Sequence, residues 1–365
     1  MKRLFSITIC IAIALFAVNG LSAVSAKIRI FIVSSYSPEY LWSQHTSEGV
    51  NTGLLDFKFL DNKEQVEEFV KNGYIETDRV VIKKEWMDSK IKHSAMDFAK
   101  ATTSITEEIN GFKPDIIMLG DDNAANYIGN QFVDTDIPVV FWGINGSPMK
   151  YGLIESMEKP GHNVTGIYQI GYAKECLEYL KKIAPNVRTI AVLSDASETG
   201  RSKAKNAIRA IYEDSASFKL AGLVVTDSFD EWKAKALDLQ EKADAFFVVN
   251  HNTLKDTSGR IVGQMEAGKW YLNNIKKPEC ADEKQFAEEG MLIIVDDSGF
   301  KQGYEAVRYA NLILNKKVMA GDLPVIAPSR GAVIVNRQRA KVLGIDLTDK
   351  SFIEEFIDRT KALEE

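Results

Sequence analysis

Pro114-Asp115-Ile116-Ile117-Met118-Leu119-Gly120 is an apolar run that opens after a proline, closes on a glycine and leads straight into two acids, Asp121 and Asp122. Four apolar residues in succession, without polar alternation, mark a strand buried on both faces, as in a parallel sheet covered by helices. The same grammar recurs on either side. Ile28-Arg29-Ile30-Phe31-Ile32-Val33 comes before it and Ile137-Pro138-Val139-Val140-Phe141-Trp142 after it. Between them lie helical patterns around Trp42 to Leu55, from Asn62 to Gly73, from Ser89 to Asn110 and from Ala124 to Asn130, with a further strand near Arg79 to Lys84. Alternating strands and helices specify an α/β layer.

After Gly143 the alternation restarts. Strands are expected at Thr165–Tyr168, Thr189–Leu193, Phe218–Val225, Ala243–Val249, Met291–Val295 and Val333–Val335. Helices are expected at Ala173–Ile183, Arg201–Asp214, Phe229–Lys242 and Gly303–Asn315, with a terminal helix at Ser351–Leu363. The fold class that follows is α/β with two lobes, each a parallel sheet flanked by helices, and a ligand cleft between them. The expected division is a leader over 1–26, a first lobe over 27–142 plus about 299–320, and a second over 143–298 plus about 321–365. Ligands in such sheets sit beyond the carboxyl ends of the strands, and a cleft between lobes is a favoured small-molecule site.

The first residues read as an export signal. Lys2 and Arg3 precede an apolar run from Leu4 to Val18, and Val24-Ser25-Ala26 supplies small residues for cleavage before Lys27. A retained anchor is the alternative, but the run is short for a membrane span. Cys10 lacks the small residues that a lipid-attachment site needs before it. The mature chain is expected outside the cytoplasm, in the periplasm or its equivalent. The 365 residues include 45% hydrophobic and 26% charged, with a net charge of -6, as in a folded acidic protein. Nothing in that balance favours nucleic acid. Cys176 reads as a buried small hydrophobe, with pairing to Cys280 left open. There is no phosphate loop, HExxH or nucleophile elbow, so the reading is a binding protein without catalysis, cofactor or metal.

Five stretches together resemble a family of bacterial ABC transporter substrate-binding proteins. They are Ile137–Phe141 leading into Pro148 and Gly152-Leu153-Ile154; Pro160-Gly161-His162-Asn163-Val164-Thr165-Gly166; Ile190-Ala191-Val192-Leu193 with Glu198 and Ser202; Ala243–Val249 with Asn252-Thr253; and Val335-Asn336 with Ala340-Lys341-Val342-Leu343-Gly344-Ile345. The resemblance implies a type I periplasmic-binding fold, closure around a small organic ligand, a largely monomeric protein, and a permease and an ATPase as partners. Some members bind aromatic amino acids. The chain departs from the usual pattern at Gly143-Ile144-Asn145-Gly146-Ser147-Pro148 and at Asn250-His251. Ser34-Ser35-Tyr36-Ser37-Pro38 through Trp42-Ser43 also resembles external sensor domains of histidine kinases, which makes a sensor partner the alternative.

The candidate site residues follow the strand ends. Ser34, Ser35 and Tyr36 offer hydroxyls and N–H groups for an anion, or else form a turn and helix cap. Trp42 is a stacking wall or a core anchor. Asp121 and Asp122 suit a ligand ammonium group or cap a helix. Trp142 and Asn145 stand where one lobe hands over to the other, with Tyr168 expected from the opposite lobe. On that basis Trp142→Ala is expected to weaken binding and spare the fold. In the second lobe, Thr199 and Arg201 suit a carboxylate, although Arg201 has Glu198 as a nearby partner. His251, Asn252, Asp296 and Asp297 follow later strands. Together they suit a zwitterion: hydroxyls or Arg201 for the carboxylate, an Asp for the ammonium, an aromatic for the side chain.

Overall fold

The computed structural model describes residues 26–214 and 216–364; the expected leader and its cleavage site lie almost wholly outside them. The chain begins with β1 (Ile28–Ser34), α1 (Leu41–Asp56), α2 (Lys63–Asn72), β2 (Tyr74–Glu76), β3 (Val80–Trp86), α3 (Ala95–Phe112), β4 (Ile116–Gly120), α4 (Asp121–Asn123), β5 (Val139–Ile144) and β6 (Val164–Tyr168). It continues through α5 (Ala173–Ile183), β7 (Thr189–Ser194), α6 (Glu198–Glu213), β8 (Lys219–Val225), α7 (Phe229–Gln240), β9 (Ala245–Asn250), α8 (Gln264–Asn274), β10 (Glu279–Ala281), α9 (Lys284–Glu289) and β11 (Ile293–Val295). The last part is α10 (Gly299–Lys316), β12 (Val333–Asn336), α11 (Arg337–Val342), β13 (Glu355–Ile357) and α12 (Lys361–Glu364).

Two sheets result, ordered β2-β3-β1-β4-β5-β6 and β13-β12-β11-β10-β9-β7-β8. All pairings are parallel except β2 with β3 and β11 with β12. Each sheet is buried on both faces: Ile30, Ile32, Met118 and Val140 serve one core layer, Phe31, Val33, Leu119 and Phe141 the other. This is the two-lobed α/β architecture that the apolar strands specify.

Three expectations change. Residues 143–168 do not open the second lobe, because β6 pairs with β5 and completes the first sheet. The expected helix at 89–110 starts later, at Ala95, where Ser94 and Asp97 form a reciprocal capping box. The tail is not one helix. β13 pairs with β12, Ile334 to Glu355 through Asn336 to Ile357, and only Lys361–Glu364 is helical. An open sheet edge at β12 gave those peptide groups hydrogen-bond partners that an isolated terminal helix had to find in itself.

The helix near 303–315 packs against the first sheet and most tightly against α1. Gly49 and Gly303 make that approach possible. A Cβ at Gly49 would sit 1.9 Å from the Phe300 carbonyl oxygen, and one at Gly303 2.1 Å from that of Thr46. From α10, Gln302 reaches into the handover: its Oε1 accepts from the Gly143 N–H at 3.2 Å and its Nε2 donates to the Tyr168 carbonyl at 3.3 Å. The chain thus crosses between sheets after β6, after β11 and again before β12.

Candidate ligand-binding cleft

The carboxyl ends of β1, β4 and β5 face those of β7, β9 and β10. Tyr36, Tyr40, Trp42, Lys90 and Asn145 line the cleft from the first lobe, Gln169 from the crossing, and Thr199, Asn250 and Glu283 from the second. The lobes touch, and the space between these side chains is only about 10 Å³.

The first-lobe face is aromatic. Tyr36 and Tyr40 meet edge to face with centroids 5.3 Å apart. The Lys90 ammonium stands 4.4 Å from the Tyr36 ring centre and 5.4 Å from that of Tyr40. The Trp42 indole donates to Asp121 Oδ1 at 2.6 Å. Asp121 has φ +68°, a left-handed conformation that Asp adopts more readily than most residues. Burial pushes its carboxyl well above the ordinary range; the Trp42 hydrogen bond opposes this and the Asp122 charge adds to it.

The second-lobe face is polar and charged. Lys203, buried on α6, pairs with Asp282 at 3.1 Å and with Glu283. Burial would lower the ammonium, but the Asp282 and Glu283 charges outweigh it and hold Lys203 protonated. Glu283 also accepts from Gln285, and from Gln169 Nε2 at 3.2 Å, while Gln169 Oε1 accepts from Asn145 Nδ2 at 2.9 Å. A continuous polar chain therefore runs from the first lobe through the crossing to Lys203. Tyr40 completes the contact: its hydroxyl accepts from Asn252 Nδ2 at 2.6 Å and from Gln285 Nε2 at 3.4 Å. Thr199 lines the cleft from the second lobe, across from Tyr36.

Of the residues singled out in the sequence, Tyr36, Trp42, Asn145 and Thr199 line the cleft, Asp121 braces Trp42, and Asn252 reaches Tyr40. The others have different work. Ser34 is buried at the end of β1. Ser35 is a lock between loops, its hydroxyl donating to the Gly120 carbonyl at 2.6 Å and accepting from the Ala124 N–H at 2.8 Å. Asp122 holds the turn after β5 by accepting from the Gly146 N–H at 2.8 Å and the Tyr151 hydroxyl at 3.0 Å. Trp142 lies in the core among Ile30, Ile32 and Val50, with its ring against Gly120. Its truncation would open a cavity there, so the expectation that Trp142→Ala spares the fold is withdrawn. Tyr168 belongs to β6 of the first lobe, not the opposite one, and is half-buried.

Arg201 is exposed and donates to the Ala196 carbonyl at 3.0 Å, outside the cleft lining. His251 points into the second lobe's core, 2.9 Å from Glu289. Burial alone would lower its pKa; the Glu289 charge outweighs that and raises it. Asp296 accepts from the Lys284 N–H at 2.9 Å. Asp297 accepts from the Gly171 N–H at 2.7 Å and fixes the first crossing to the second. The sequence reading missed Tyr40, Lys90, Gln169, Asn250, Lys203 and Glu283. One partial parallel was present: the acidic pair Asp282-Glu283 directly follows a strand, β10, as Asp121-Asp122 follows β4, but Glu279 within β10 masks that strand. Cys176 is free and buried, its thiol donating to the Ala281 carbonyl at 3.1 Å.

With this geometry in hand, comparison with known proteins is direct. The ABC transporter substrate binding protein family matches residues 67–355, and the chain belongs to that family. A tyrosine-binding protein of Clostridioides difficile (strain R20291) is 26% identical over 250 residues, 68% of this chain and 69% of its own length. An ABC domain from Streptococcus pneumoniae, solved in complex with L-Trp, superposes with TM-score 0.66 at 20% identity, over 91% of this chain and 100% of its own. The ligand-free, open form of a Clostridium difficile substrate-binding protein with adhesive properties gives TM-score 0.65 at 24% identity, over 90% and 99%. These likenesses establish the type I periplasmic-binding fold. By its family the chain is an extracytoplasmic substrate-binding protein of the ABC transporter type.

Proposed function

We propose that this member of the ABC transporter substrate-binding family takes an aromatic L-amino acid into its cleft, closes on it, and presents the closed form to a membrane permease and its ATPase. The chain reaches that compartment by a leader cleaved after Ala26. One observation carries the ligand assignment: a face of Tyr36, Tyr40 and Trp42 opposes a polar face of Thr199, Asn250 and Glu283 across a gap too narrow for bulk water. An aromatic ring stacks on the first face. The ligand ammonium pairs with Glu283 and the Asn250 side chain. Its carboxylate pairs with Lys90 and Thr199, which take the part expected of Arg201. The tyrosine-binding relative and the L-Trp-bound neighbour support this class of ligand.

The enclosed space is far below the volume of such a ligand, so entry requires the lobes to part and closure follows binding. The polar chain from Asn145 to Lys203 then supplies contacts that form only when the lobes meet.

The test is a thermal-melt screen of refolded mature protein against the amino acids and other metabolites. A ligand at about 100 times its Kd adds about 2.7 kcal/mol of stability. A rise with Tyr, Trp or Phe that Tyr36→Ala and Glu283→Gln each abolish supports the assignment. A rise with another class keeps the cleft and discards the aromatic ligand. Co-purification with a sensor kinase in place of a permease would replace the transport partner while leaving the binding reading intact.

A further inference from the structure

A concavity far larger than the space in the cleft lies elsewhere on the first lobe. It is an open groove of about 920 Å³ on the outside of the first lobe, between α1, α2 and the end of β3. Leu55, Val66, Phe69 and Trp86 form its apolar wall, and Val70 stands at its edge, 61% exposed. That volume lies within the range of sites that hold drug-sized ligands.

Lys84 enters this groove. Glu85 also lines the groove, but its carboxylate is engaged by Lys83 at 3.2 Å, the two side chains alternating with Lys84 along β3. Lys84 is left with the Ser47 hydroxyl at 2.8 Å and the face of Trp86, 3.9 Å from the ring centre. It forms no salt bridge among the described residues. The rim charges are of both signs, Glu48 from α1 and Lys63, Glu67 and Lys71 from α2, and all four are exposed. An ammonium with only a hydroxyl and a ring for company, set in an apolar wall, is complementary to an anion that carries an apolar body.

We infer that the groove is a second binding site, distinct from the cleft, for an amphiphilic monocarboxylate whose carboxylate meets Lys84 and whose chain lies along Leu55, Val66 and Phe69. The site does not depend on what the cleft binds. Burial lowers the Lys84 ammonium to about 7, with the Asp121 charge opposing that shift. A bound carboxylate favours the protonated lysine. Binding therefore takes up a proton above neutrality, and affinity falls as the pH rises through that region.

The probe is decanoate below its micellar concentration, titrated calorimetrically into mature protein, with decanol as the uncharged control. Decanoate is expected to bind about tenfold tighter than decanol below neutral pH, the worth of a charge-assisted hydrogen bond. That advantage should shrink above neutrality, with proton uptake visible as buffer-dependent heat. Lys84→Met, which keeps the stem, should remove the advantage. Val70→Asp, a change at an exposed position, should weaken both ligands without disturbing the fold. Tyr36→Ala should change neither. Equal affinity for acid and alcohol, retention of the advantage in Lys84→Met, or loss of binding in Tyr36→Ala would each overturn the assignment.

Discussion

The two faces of the cleft are built on different physics. The first lobe presents rings: Tyr36, Tyr40 and Trp42, steadied by one lysine and one buried aspartate. The second presents a buried ion cluster, Lys203 with Asp282 and Glu283, extended by amides. Rings offer a broad surface that tolerates differences among planar ligands. A buried ion cluster tolerates very little, since each charge is kept in place by the others. On the proposed function, adaptable recognition falls to one lobe and strict polar complementarity to the other.

The strongest way to break this comparison is to remove the cation. Lys203→Met leaves Asp282 and Glu283 buried without compensation, and about 3–5 kcal/mol of stability should be lost in urea unfolding. Combining it with Glu283→Gln should restore part of that loss. If the single variant unfolds like the parent, the cluster does not organise the second face.

A smaller effect is expected on the aromatic side. Trp42→Phe keeps a ring but leaves the Asp121 carboxyl without its indole donor, a cost of about 1–3 kcal/mol. Because Asp121 already sits well above its ordinary pKa, protonation should relieve much of that cost. The variant should then approach the parent at low pH. A loss independent of pH would mean that Trp42 acts through packing alone.

The finest test concerns Asp297, pushed up to about 7 chiefly by burial, with Lys203 opposing. A carboxyl raised above its unfolded value binds more protons in the folded state, so it lowers stability as pH rises from about 4 to about 7 and has no further effect above that. Asp297→Asn should flatten the melting profile in that window by up to about 1 kcal/mol per pH unit. It should leave the alkaline arm unchanged. A parallel profile would show that the crossing at Gly171 is indifferent to this proton.

How much of this was legible in the sequence follows from how each residue is held. Strands such as Ile116–Gly120 and Ala245–Asn250 announce themselves because burial on both faces forbids polar alternation. The three residues of β10 do not, since Glu279 interrupts them and is satisfied by Arg339, 60 positions away at 2.7 Å, and by the Leu292 N–H at 2.8 Å. The loops after strands do line the cleft, but the sequence could not say which side chain turns inward. Asp121-Asp122 and Asp296-Asp297 occupy similar strand ends, yet in each pair the roles are set by turns closed far along the chain. Lys203 reads as an ordinary helical lysine, and only the folded chain brings the acidic pair after β10, Asp282 and Glu283, to its ammonium. Trp142 reads as a cleft aromatic because it ends a strand; the face it takes depends on strand pleating and on Gly120 yielding room.

The close packing of α1 against α10 has a consequence for how the protein is made. The first lobe cannot finish its core with its own leading residues. The helix that seats on Gly49 spans Gly299–Lys316, about 250 positions later. A nascent chain emerging in order therefore waits for most of its length before that lobe can consolidate, and contacts of such long range are slow to form. The two lobes are therefore not independent folding units: the first consolidates only once Gly299–Lys316, which follows most of the second in sequence, has been made.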